Sequence, residues 1–189
     1  MRKLVAIIGD AFIEKGGIKD KVATELGKKL IDHGYRIQCG GMRGVMEAVC
    51  KGAKASSKYK EGDVIGILPS FDRTQVNDYV DIAIPTGIDI LRNAFVANAD
   101  AVIAIGGGAG KLSEMAFAWT MKRLLIGFKN VDGWSSKLAG QKLDERERYS
   151  DLGFEDMVFG VESAEEAVKI IDEKINSYTK PHTPIKFVK

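Results

Sequence analysis

Proline is scarce in this chain of 189 residues, with 4, and cysteine and histidine are scarcer still, with 2 each. The histidines, His33 at a helix end and His182 in the tail, argue against a Ser-His-Asp machine and a histidine-rich metal site. No metal and no resident cofactor is expected. Cys39 and Cys50 are too few for a four-ligand zinc cage, and a single pair is a weak disulfide framework. Cys39 therefore reads as strand core and the chain as a reduced, cytoplasmic protein. No run approaches the ~20 apolar residues of a membrane span. The N-terminus offers only LVAII before Gly9-Asp10, without a small-residue cleavage site, and reads as a first strand instead of a signal peptide. Net charge is +2 and the basic residues are scattered, not gathered in a stripe, which argues against a nucleic-acid partner.

Glycine is what the chain has in excess: 21 residues, about 11% against a usual ~7%. With so little proline this is not the composition of a disordered chain, and it points to glycines with local backbone tasks. The length suits one domain, taken as residues 1–177 with a tail at 178–189. Apolar runs alternate with helical patterns along it. Strands are expected at 3–9, 35–41, 63–69, 80–87, 99–108, 124–129 and 156–161. Helices are expected at 19–33, 44–55, 89–98, 111–122 and 163–177, the last opened by a Ser163/Glu166 capping-box signature. The charged segment DERERYSD, within a loop spanning about 130–155, reads as a solvated surface. Such alternation implies βαβ units, and the continuous apolar runs LVAII, AVIAI and LLIGF imply strands buried on both faces. The expected fold is a single doubly wound, Rossmann-like α/β domain with a mainly parallel seven-stranded sheet flanked by helices.

Ligands of such sheets bind beyond the carboxyl ends of the strands. Four glycine-bearing segments fall there: Gly9-Asp10, Gly40-Gly41 with Arg43 and Gly44, Thr86-Gly87, and Gly106-Gly107-Gly108-Ala109-Gly110-Lys111. The last puts bare amides in front of a helix, a suitable seat for an anion. It is not a P-loop, because Ile105 and Leu112 stand where glycine and Ser/Thr are required, and no G-x-G-x-x-G follows the first strand. Two charged side chains stand out. Arg92 opens a helix whose dipole it opposes, and local rules broken in this way often mark functional sites; the ordinary alternative is an i, i+3 pair with Asp89. Glu114 lies in the first turns after the glycine loop. Arg43 could touch phosphate or simply be exposed.

The segments GGMRGVMEAVCKGA and LRNAFVANADAVIAIGGGAGKLSEMAFA, about 60 residues apart, resemble the paired signatures of the LOG-like superfamily of Rossmann-like nucleotide-binding proteins. That group holds cytokinin-activating phosphoribohydrolases and molybdenum cofactor carriers, and GGG-x-G looks more like the carrier branch. By this resemblance Arg92 and Glu114 match the hydrolases' essential residues. Gly107, Gly108 and Gly110 match their phosphate-binding glycines, and Gly40 and Gly41 their paired glycines. Gly106 stands where the hydrolases have proline and Lys111 where they have threonine. An acidic Asp10 would repel a phosphate and is assigned instead to ribose hydroxyls. The implied partner is a phosphorylated nucleotide or pterin-like molecule, either hydrolysed at its N-glycosidic bond or only carried; a regulatory sensor is a third reading. The helix LSEMAFAWTM is apolar nearly all round, and its outer face calls for a homodimer or for cover by the 130–155 loop.

Overall fold

The structure is a computed structural model and describes residues 1–179; the rest of the tail, with His182, lies outside the described residues. Seven strands form one all-parallel sheet in the order β4-β3-β2-β1-β5-β6-β7. They are β1 Leu4–Gly9, β2 Arg36–Cys39, β3 Val64–Leu68, β4 Ile82–Pro85, β5 Ala101–Ile105, β6 Leu124–Phe128 and β7 Phe159–Val161. The continuous apolar runs are the central strands: β5 and β6 are buried throughout, and β1 from Val5 onward. Alternate residues feed two cores. Val5, Ile7, Ile103 and Ile105 face helices α1 (Ile18–Asp32), α2 (Val45–Lys54) and α6 (Ala164–Lys174). Ala6, Ile8, Val102 and Ala104 face α3 (Asn93–Ala97) and α4 (Ala109–Thr120), with α5 (Trp134–Leu138) beside them. Among the described residues no helix is long and apolar enough to cross a membrane.

Helix ends follow local chemistry. Gly34, at φ +85°, closes α1, with its N–H on the Ile31 carbonyl and the Tyr35 N–H on that of Leu30. Ser163 Oγ accepts from the Glu166 N–H at 3.2 Å, but the Glu166 carboxylate reaches back to the N–H of Glu162, one residue before the cap.

Three sequence expectations are corrected. The strands at 35–41, 80–87 and 156–161 shorten to four, four and three residues, because apolar pattern cannot show where ladder pairing stops. The helix at 89–98 is a 3₁₀ turn, Asp89–Arg92, followed by the short α3, with Asp89 itself at φ +48°. The DERERYSD segment is only partly solvated. Arg148 is buried with its guanidinium 3.5 Å from the Trp119 ring centroid, donating to Asp156 at 2.8 and 2.6 Å and to the Trp119 carbonyl at 3.1 Å. A planar cation with its donors taken can lie flat on a ring inside a protein. Removing it leaves Asp156, whose side chain is 11% exposed, without its ion pair and with the Tyr178 hydroxyl as its remaining donor among the described residues. Arg148→Ala should therefore lower the unfolding free energy by roughly 3 kcal/mol, read from urea denaturation against a surface control such as Arg146→Ala.

Candidate functional site

The sheet order reverses direction at β1, which lies between β2 and β5. Crossovers on opposite sides of that point leave a crevice at the carboxyl ends of β1 and β5. Gly106 and Gly107 leave β5 at φ +71° and +102°, a left-handed path that side chains resist. The turn is pinned from α5. Ser135 Oγ accepts from the Gly106 N–H at 2.8 Å, the Ser135 N–H donates to the Gly106 carbonyl at 3.1 Å, and the Trp134 N–H donates to that of Gly107 at 2.9 Å.

Gly108 then caps α4 without a side-chain hydrogen bond. The amides of Lys111 and Leu112 both bond the Gly108 carbonyl, so Lys111 does not offer its backbone as the sequence suggested, only its side chain. The amides of Gly108, Ala109 and Gly110 have no acceptor among the described residues. A Cβ built on Gly108 or Gly110 would meet nothing within 4 Å, so open space lies in front of them. Three free donors at the positive end of a twelve-residue helix are a ready anion seat.

Beneath the seat lies a charged cluster. Glu114 is fully buried, with Lys111 Nζ 2.7 Å from its Oε2 and Arg92 Nη1 3.7 Å from its Oε1. Arg92 is buried as well, and its Nε and Nη1 donate no hydrogen bond among the described residues. The side chain turns inward instead of pairing with Asp89, and its guanidinium occupies the space a Cβ on Gly40 would need. Burial raises the Glu114 carboxyl above the usual range even though Lys111 and Arg92 pull it down. Two cations face one carboxylate, a local surplus of positive charge around a Glu114 side chain with no exposed surface.

The other residues singled out in the sequence divide into two sets. Gly9, Gly40, Gly41 and Gly44 join the same region as points of close contact: their missing Cβ atoms make way for Val45, Arg92, Gly66 and the Asp10 carbonyl. Asp10 is not a bare charge, because Lys19 Nζ lies 2.6 Å from it and 2.8 Å from Asp132, spanning the loops after β1 and β6. The repulsion expected of Asp10 is thereby offset. Arg43 stands apart, exposed on a cavity of about 340 Å³ with Ala11, Phe12, Lys51 and Tyr79 that none of Arg92, Lys111 or Glu114 lines. Thr86-Gly87 offers no anion seat: Thr86 closes onto the Leu68 carbonyl, and Gly87 makes room for the Phe71 ring.

Sequence reasoning missed several contributors. Buried Asn93 donates to Ser113 Oγ at 2.9 Å and to the Gly110 carbonyl at 3.3 Å, fixing the first turn of α4 to the segment that carries Arg92. Ser135 and Lys19 act from elements distant in sequence, and no local pattern marks them. Phe71 and Phe12 stand exposed on loops at the carboxyl rim, 79% and 88% accessible. Their only sequence signal is a large ring in a polar loop.

The model of the SLOG cluster4 family matches residues 2–158. The molybdenum cofactor binding protein from the phototrophic bacterium Rippkaea orientalis superposes with a TM-score of 0.74 at 30% identity, over 92% of this chain and 97% of that one. TM1055, a structural-genomics target, gives 0.75 at 28% identity over 92% and 99%. The molybdenum cofactor carrier protein of Chlamydomonas reinhardtii gives 0.69 over 93% and 99%, but at 24% identity it speaks to the fold alone. A protein of Archaeoglobus fulgidus described as uncharacterized is 39% identical over 99 residues, which span 52% of this chain and 62% of that protein's length.

Proposed function

Because the chain belongs to the SLOG cluster4 family, we propose that it binds a phosphorylated, pterin- or nucleotide-like molecule at the carboxyl edge of the sheet and carries it without cleaving it. The phosphoryl group sits on the amides of Gly108, Ala109 and Gly110, with Arg92 and Lys111 as counter-ions. One observation carries the reading: buried Arg92, with two unpartnered donors, lies beside Glu114 and Lys111 of the helix that opens on those amides. Buried polar groups are normally satisfied, and Glu114 Oε1, itself without a hydrogen bond among the described residues, lies 3.7 Å from Arg92 Nη1, too far to satisfy it, so the open donors of Arg92 support a further acceptor. The likeness to the molybdenum cofactor binding protein of Rippkaea orientalis makes a phosphorylated pterin the first ligand to try.

Two features favour carriage over glycosidic hydrolysis. Gly106, at φ +71°, follows a path closed to the proline of the hydrolases, whose φ is fixed near −65°. Glu114, which would have to reach the anomeric carbon or a water, is fully buried with Lys111 against it. Hydrolysis of nucleoside 5′-monophosphates stands as the second reading, favoured by the 3.7 Å approach of Arg92 to Glu114. The deciding experiment is mass spectrometry of the small molecule that co-purifies, together with incubation of the protein with nucleoside 5′-monophosphates. A retained phosphorylated pterin or nucleotide without release of base is expected. Release of free base and ribose 5-phosphate, lost in Glu114→Ala, would establish the hydrolase instead.

The planar ring of the ligand has a surface to rest on. Phe71 packs over Gly87, in the short segment that also delivers Arg92, and its ring is otherwise open. Stacking of this kind is worth ~1–3 kcal/mol per ring, so Phe71→Ala should weaken binding by about tenfold or more in a fluorescence titration while leaving the melting temperature unchanged.

The outer face of α4 and its neighbours we assign to a second copy of the chain. The 142–156 segment covers the Trp119 side, but Ile90, Leu91, Phe95 and Phe117 remain exposed around the entry to the site. Exposed apolar side chains on neighbouring elements are best buried by two-fold pairing. Sedimentation should show a dimer that Phe95→Asp converts to a folded monomer.

A further inference from the structure

The carboxylate of Glu114 poses a difficulty for any phosphate binder, and its resolution predicts a property of the binding reaction. This inference rests on the phosphate-binding reading above. In the structure Arg92 and Lys111 oppose Glu114, leaving one positive charge over. A phosphate monoester brings two negative charges at neutral pH. With Glu114 ionised, the filled site would hold one unbalanced negative charge in a buried place, which is costly. With Glu114 neutral the charges cancel.

Lys111 is placed to make the exchange. Lys111 sits in the first turn of α4, next to the open amides, with its stem against Gly107 and its side chain 16% exposed. Its ammonium can turn from Glu114 toward the cleft without moving the helix. The charged groups facing Glu114 are Lys111 from its own helix and Arg92 from the 3₁₀ turn. The Cys39 thiol, from the end of β2, feels the same two cations, and Asp10 is held by Lys19.

We propose that Lys111 is an exchangeable counter-ion, paired with Glu114 in the empty protein and transferred to the phosphoryl group on binding, while Glu114 takes up one proton from solvent. No covalent bond forms or breaks; the proton moves from buffer to a Glu114 carboxylate oxygen. Loading is thereby coupled to pH. Affinity falls as pH rises through the range in which Glu114 must be protonated to admit the ligand, by up to tenfold per pH unit. A rise in pH favours release.

The test uses phenyl phosphate, a monoester that is dianionic at pH 7, and protein labelled with ¹³C at the glutamate carboxyl carbons. As the ligand saturates the amide shifts of Gly108 and Gly110, the Glu114 carboxyl resonance should move from the carboxylate to the carboxylic-acid position. Glu114→Gln should bind phenyl phosphate about tenfold tighter and lose the fall in affinity with rising pH. In Lys111→Met, which serves if Glu114→Gln does not fold, Glu114 should already be protonated before ligand is added. Amide shifts with Glu114 still a carboxylate, equal or weaker binding by Glu114→Gln, or an ionised Glu114 in Lys111→Met would each overturn the exchange while leaving phosphate binding intact. Absence of any amide response would overturn the phosphate-binding reading and the exchange with it.

Discussion

Arg92→Ala should reduce affinity for the phosphorylated ligand by two orders of magnitude or more. The guanidinium is buried, and among the described residues its Nε and Nη1 are unpartnered and its only ionic neighbour is Glu114 at 3.7 Å. Such a group donates to phosphate in a medium of low polarity, where removing one partner of a buried charged contact costs ~2–5 kcal/mol. About 3 kcal/mol corresponds to roughly 150-fold in affinity. Arg92→Lys should restore only part of it, because an ammonium cannot reproduce a planar fork of donors. Isothermal titration of the co-purifying ligand against the three proteins reads this directly. Comparable affinities in all three would remove Arg92 from the site.

Gly27→Leu and Gly52→Leu should each lower the melting temperature by about 10 °C. Helices α1 and α2 cross at these residues so closely that a Cβ on Gly27 would lie 2.0 Å from the Val49 carbonyl oxygen, and one on Gly52 1.9 Å from that of Thr24. The obstacles are backbone atoms, so no rotamer change relieves them, and the helices must separate. Overpacking typically costs ~1–3 kcal/mol and more where backbone must move. For a chain of this size roughly 4 kcal/mol lowers the melting temperature by about 10 °C. Moving these helices also disturbs Gly44 and Val45, whose backbone meets that of Asp10 at the site. A scanning melt of each variant against the wild type tests the claim; an unchanged melting temperature would mean the helices cross elsewhere.

How much of this was legible in the sequence depended on how local the cause was. The parallel sheet was, because β5 and β6 are buried on both faces and AVIAI and LLIGF have no polar residue to place outside. The edge strand β4 was harder. Ile82 and Ile84 are exposed on one face, so its apolar run overstates its burial. Gly34 ending α1 and Ser163 opening α6 are decided within a few residues and were readable. Arg92 and Glu114 could be singled out from a residue that opposed its helix and from a family likeness. That the two meet in a buried cluster is new information from packing. What Lys111 does could not be read, because a lysine in a first turn reaches phosphate or its own Glu114 equally well. Arg148 was misread since its burial depends on the Trp119 ring and Asp156, not on its charged neighbours. Asn93, Lys19 and Ser135 join the site only through contacts set by the completed fold.

Three amides decide where the phosphoryl group sits. Uniformly ¹⁵N-labelled protein, titrated with the phosphorylated pterin or nucleotide that co-purifies, should show its largest shift changes at Gly108, Ala109 and Gly110. Those changes should disappear in Arg92→Ala at the same ligand concentration. If those amides stay still while residues around Arg43, Lys51 and Tyr79 respond, the ligand enters that cavity instead and the three amides hold no phosphate.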